Sequence, residues 1–166
     1  MATSNRVVGT PVGRTEGPEK TTGSAKYGED ATLPGMLWAR VLRSPSPHAR
    51  IISVDTSAAE AVPGVHAVIT GADLDGVRTG GQWKDEPVLV WDRVRFVGDP
   101  VAAVAADDED IADHALGLVQ IEYEELPRVF SVEEAIRPGA EIIHPDFNAY
   151  RGVEQMETPS NRFATV

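Results

Sequence analysis

Seven apolar residues in a row, Pro100 to Ala106, run straight into four acids, Asp107 to Asp110, and then into an amphipathic segment. No other stretch constrains the fold as much. A short apolar run entered through a Gly98-Asp99 turn signal reads as a strand covered on both faces. Behind the acids, Ile111, Ala115 and Leu118 recur at i, i+4 and i+7 with Ala112 and Val119 beside them, which predicts a helix over 108–119. Carboxylates in a first helical turn accept otherwise unpaired backbone N–H groups and oppose the positive end of the macrodipole. Each is worth about 0.3–1 kcal/mol when exposed. A metal-ion reading of the same four acids needs converging oxygens, whereas consecutive residues at a helix start point around its axis. Capping is the simpler account.

The rest of the chain alternates short strands with short helices. Leu37 to Leu42 reads as a strand with Leu37, Ala39 and Val41 on one face, broken by Ser44-Pro45-Ser46-Pro47. Ile51 to Val54 is a second strand, and Asp55 or Thr56 caps a short helix that stops at Pro63-Gly64. Val65 to Thr70 places Val65, Ala67 and Ile69 on one face. Residues 71–86 are turn-rich, and Val88–Val90 and Val94–Val97 are expected as strands around a Trp91-Asp92-Arg93 turn. Gln120 to Leu126 turns Ile121 and Tyr123 to one side and Glu122 and Glu124 to solvent, and Ser131 with Glu134 forms a capping box. Such a succession implies an α+β domain with a mixed β-sheet and two to three short helices. Before it, residues 1–35 read as an extended Gly/Pro-rich arm. Beyond 147 the pattern weakens, and the final NRFATV opens a strand-like alternation.

Composition excludes several classes of function. The 166 residues include no cysteine, so thiolate nucleophiles, disulfides and iron–sulfur ligation are ruled out within this chain. A net charge of −11 opposes nucleic-acid binding, which needs clustered Lys and Arg. No run approaches the ~20 apolar residues of a membrane span, and the absence of a signal-peptide core at the start predicts a cytoplasmic location.

Candidate chemistry is sparse. Gly13 to Lys20 has the wrong Gly–Lys spacing for a phosphate loop, with no strand expected before it and no helix after. Val97-Gly98-Asp99-Pro100 has one glycine and reads as a turn. His48, His66, His114 and His144 stand singly without metal-ligand spacing. No serine sits in GxSxG. Trp38, Trp83 and Trp91 are too dispersed to form a base-stacking platform. The residues alone thus indicate no catalytic, cofactor-binding or metal site.

The order of segments nevertheless resembles the amino-terminal region of the molybdopterin-binding large subunit of the xanthine dehydrogenase/aldehyde oxidase family. The matching stretches are VGTPVGRTEGPEKTTGSAKYGED (8–30), LPGMLWARVLRSP (33–45), HARI (48–51) and SAAEAVPGVHAVITGADL (57–74), then VRFVGDPVAAVAA (94–106), IEYEELP (121–127) and IIHPD (142–146). The resemblance implies an α/β hammerhead domain over 36–147, with 148–166 leading toward molybdenum-binding domains. It implies membership of an enzyme that oxidises aldehydes, purines, N-heterocycles or similar substrates with water as oxygen source. Molybdopterin is then expected in the full subunit, with iron–sulfur clusters and FAD on partner domains or subunits. No position matches the family's catalytic glutamate or pterin-binding loops, so the chain alone is expected to be inactive. His48 and Arg50 are expected to act as positioning residues. The alternative is a free-standing hammerhead-fold interaction module without enzymatic activity.

Overall fold

The computed structural model describes residues 9, 11–74, 76–81, 83–153, 156–157 and 160–162. Two compact units divide the chain, Met1–Met36 and Leu37–Val166. In the first, Pro18 opens a short helix, α1 (Gly17–Thr22), which ends at Gly23. Thr21 and Thr22 hydroxyls donate back to Gly17 and Pro18 carbonyls, and the Tyr27 N–H donates to the Asp30 carboxylate in a following turn.

The second unit contains two three-stranded sheets and a short ribbon. Strands β1 (Trp38–Arg43), β2 (Ala49–Asp55) and β3 (Val65–Thr70) come first, with α2 (Ser57–Glu60) between β2 and β3. The ribbon pairs β4 (Arg78–Thr79) with β5 (Glu86–Pro87). Next come β6 (Arg93–Val94), β7 (Pro100–Ala106), α3 (Glu109–Leu116), β8 (Gln120–Glu125) and α4 (Val132–Ala135). One sheet has the order β1-β7-β3 and the other β6-β2-β8, with antiparallel pairing throughout. This is an α+β fold, as expected from the succession of elements.

The apolar run at 100–106 is the central strand of the first sheet. Its Ala102 and Val104 lie against Ala59 of α2 and Ala115 of α3 in one core cluster, completed by Val119. Its Val101 joins Ala49, Val90 and Val94 in a second cluster beside the other sheet. Burying each such valine contributes about 1.5–3 kcal/mol, and the alanines let α3 approach the sheet closely. The expected cap is present: Asp108 Oδ1 accepts the Ile111 N–H at 2.8 Å. Ser131 likewise accepts the Glu134 N–H, while the Glu134 carboxylate accepts the Phe130 N–H. Asp55 accepts both the N–H and the hydroxyl of Ser57 at the start of α2, and these hydrogen bonds hold its carboxyl below the usual range.

Four local expectations are corrected. Val65 does not share a face with Ala67 and Ile69. A register shift at His66 puts Val65 in the core with Val68, while exposed His66 meets Asp107 at 2.7 Å. Neither Val88–Val90 nor Val94–Val97 is a strand: the ribbon strand ends at Pro87, and only Arg93–Val94 pairs, because Phe96 and Val97 belong to a turn in which Asp99 N–H donates to Phe96 O. A helix does form at the GRTEGPEK segment, α1, whose Lys20 ion-pairs with Glu16. The end of the NRFATV alternation lies outside the described residues. Among the described residues no helix is long and apolar enough to cross a membrane.

Candidate functional site: a cleft beside the Gly98 turn

Gly98 has φ +98°, a conformation that side chains disfavour, and it reverses the chain between Arg95 and β7. Its N–H donates to Ser44 O at 2.8 Å, and the Ser44 N–H donates to Asp99 O at 2.9 Å, tying the turn to the end of β1. Asp99 is 4% exposed, and its Oδ2 accepts the backbone N–H of Arg95 at 2.9 Å. Burial pushes the Asp99 carboxyl above the usual range, against the opposing pull of that hydrogen bond and of the Arg95 charge. The Arg95 side chain is 5% exposed and donates from Nη1 to Arg93 O at 2.9 Å. Its Nε and Nη2 are buried without hydrogen-bond partners, and Nη2 lies 3.8 Å from Asp92 Oδ2, an ion pair beyond hydrogen-bond reach.

This turn lines a cleft of about 400 Å³, to which Asp85, Glu86, Pro87 and His144 also contribute. Burial, together with the nearby Arg95 charge, holds the His144 imidazole below its usual pKa. Its Nδ1 is 3.0 Å from Tyr150 Oη. Tyr150 in turn covers Arg78, whose guanidinium lies 4.7 Å from the Trp91 ring and 4.6 Å from the Tyr150 ring. A cation between two aromatic faces pins residues 144–150 to the ribbon. Asn161 performs a similar task, accepting from Ile143 N–H and donating to the Ala135 and Glu141 carbonyls.

The other singled-out residues serve the framework. His48 is 1% exposed, and its Nδ1 donates to Pro127 O at 2.7 Å, leaving Nε2 buried and unpaired. Arg50 pairs across strands with Glu124, and Ser53 with Glu122, on the solvent side of the second sheet. Arg40 pairs with Glu109 and Asp113 of α3. Glu125 accepts from buried Ser46 and from Arg128. Among the described residues no group of three or more His, Asp or Glu side chains converges to hold a metal ion.

The cleft brings Arg95, Asp99 and His144 together, a grouping sequence reasoning missed. His144 lies far along the chain in an irregular segment, so no periodicity could have joined it to the turn. Three carboxylates line the cleft, and Arg95 turns its donors into the protein. An anionic pterin phosphate would meet repulsion here, so these residues do not fit that cofactor.

Two antiparallel sheets, a helix against one of them and a glycine turn at the end of β1 define an α+β domain. Residues 22–127 match the aldehyde oxidase and xanthine dehydrogenase, a/b hammerhead domain, and the chain belongs to that family. It is 52% identical over 136 residues to a probable xanthine dehydrogenase component of Bacillus subtilis, covering 81% of this chain and 18% of that protein. It is 42% identical over 152 residues to the nicotinate dehydrogenase large molybdopterin subunit of Eubacterium barkeri, covering 91% of this chain and 36% of the relative. Among solved structures, a Cu,Mo-CO dehydrogenase superposes with TM-score 0.80 at 36% identity, over 90% of this chain and 19% of the other. The chain thus spans between 18% and 36% of these three proteins, and it is a domain of the molybdenum hydroxylase and dehydrogenase family.

Proposed function

We propose that this chain is the non-catalytic structural domain of a molybdenum hydroxylase large subunit. The enzyme as a whole oxidises aldehydes, purines, N-heterocycles or similar substrates with water as oxygen source. In this reading residues 1–35 are an arm, 36–147 the hammerhead domain and 148–166 the approach to the molybdenum-binding domains. Molybdopterin binds in those domains, with iron–sulfur clusters and FAD on partner domains or subunits. The observation that carries the reading is how the cleft residues are used. Asp99, Arg95 and His144, the polar groups of the cleft that would be candidates for chemistry, are engaged with the turn backbone and Tyr150. A cytoplasmic location belongs to the same proposal and is checked by cell fractionation.

The test is a graft. Residues 22–127 replace the matching stretch of the Bacillus subtilis probable xanthine dehydrogenase component, and soluble yield and molybdenum content are measured. Parental molybdenum content supports the proposal, and an insoluble or molybdenum-free product opposes it. Turnover of an aldehyde or purine by the 166-residue chain alone would overturn the non-catalytic reading.

A further inference from the structure

The side of the first sheet turned away from α3 carries no charge on its central rows. Antiparallel pairing aligns Ala39–Ala105–Ala67 in one row and Val41–Ala103–Ile69 in the next. Paired residues point to the same face. Their neighbours Ala102 and Val104 point to the core, so these six point away from it. Val41 and Ile69 are each 40% exposed. An apolar face of this kind marks a contact surface.

The second row is a shallow trough, with Ala103 of β7 as its floor and the larger Val41 on β1 and Ile69 on β3 as its walls. The first row is flat, alanine throughout. Strands lie about 4.8 Å apart, so the outer strands β1 and β3 are about 9.6 Å from each other, and the three strands offer a footprint comparable to the roughly 10–12 Å diameter of a helix lying on top of them. The inner face of the same sheet already seats a helix in this way, with Ala115 of α3 against Ala102 and Val104. A second copy is a poor occupant, because each chain carries a net charge of −11. The matched relatives, by contrast, continue for several times this chain's length.

We propose that this trough seats an apolar face of an α-helix from the remainder of the large subunit, laid along β7. The inference rests on the large-subunit reading above and names the contact through which the domain would be held. Because the chain has no cysteine, Val41→Cys and Ile69→Cys each introduce a unique thiol into the isolated chain, and the labelled peptide identifies the same site in the graft. Maleimide labelling is followed by mass spectrometry in the isolated chain and in the grafted large subunit. The expected result is ready labelling in the isolated chain and at least a tenfold slower reaction in the graft. A benzophenone carried on Ile69→Cys should then cross-link to residues spaced three or four apart, the signature of one helix face.

A graft that assembles with full molybdenum content but leaves both cysteines reactive overturns this inference alone. A graft that fails to assemble overturns the large-subunit reading as well. Cross-links at alternate residues would assign the trough to a strand instead. Protection in the isolated chain, accompanied by a doubled mass, would assign it to a second copy.

Discussion

Asp99 accepts the backbone N–H of Arg95 at 2.9 Å, and this one bond closes the turn that delivers the chain into the central strand. Asp99→Ala leaves that N–H without its acceptor in a buried setting, at a cost of about 1–3 kcal/mol in unfolding free energy. Asp99→Asn keeps an acceptor and removes the titration. The wild-type carboxyl has a folded pKa above 3.8, so its contribution to stability is full below that pH and is lost as pH rises through the folded value. Urea unfolding over a range of pH should therefore show Asp99→Asn gaining relative to wild type as pH rises. A constant difference at all pH values would show that burial does not perturb this carboxylate.

His144 titrates with the opposite sign. Its folded pKa lies below 6.5, so the unfolded chain binds the proton more readily. Its contribution is full above pH 6.5 and is lost as pH falls from there through the folded value. A His144→Gln variant should lack this acid-side loss, and an NMR titration should place the His144 midpoint below 6.5. A His144 midpoint at or above 6.5 would contradict its half-buried placement.

The Arg78 guanidinium between Trp91 and Tyr150 makes a spectroscopic prediction. Arg78→Met keeps much of the apolar stem but removes the charge over both rings and the bond from Nη1 to Asp85 O. Cation–π contacts with partly desolvated groups are worth about 0.5–2 kcal/mol each. Tryptophan emission should shift, and hydrogen exchange at residues 144–150 should accelerate. Unchanged exchange there would mean that the segment is held by other contacts.

What could be read from the residues was the part governed by local rules. Ile111, Ala112 and Ala115 announce α3, and Asp108 announces its cap. Pro100 to Ala106 announce a covered strand. What escaped depends on contacts between distant residues. Nothing in VHAVIT signals that His66 bulges, because the bulge is set by pairing to Ala105 and Ala106 of β7. Phe96 and Val97 favour a strand by composition, yet the Gly98–Ser44 and Asp99–Arg95 bonds impose a turn. The cleft joins Arg95 to His144, which share no pattern. A charge-free outer face is foreshadowed only in Ala39 and Val41, since simple alternation groups Ala67 and Ile69 with the core residue Val65.

Two glycines separate strain from collision. Gly98 has φ +98°, but a Cβ there would meet no atom within 4 Å. Gly98→Ala therefore costs only backbone strain, about 1–2 kcal/mol. Gly71 follows β3 and is buried, and a Cβ there would lie 2.4 Å from the Val90 carbonyl oxygen. That oxygen belongs to backbone fixed by the Val90 N–H to Pro100 O bond at 2.7 Å, so it cannot yield without disturbing the start of β7. Gly71→Ala should consequently destabilise the fold more than Gly98→Ala, and Gly98→Asn, which tolerates positive φ better, should recover part of the loss. Melting temperatures of the three variants in parallel give the order. If Gly71→Ala melts above Gly98→Ala, the close approach between the end of β3 and Val90 is not present in solution.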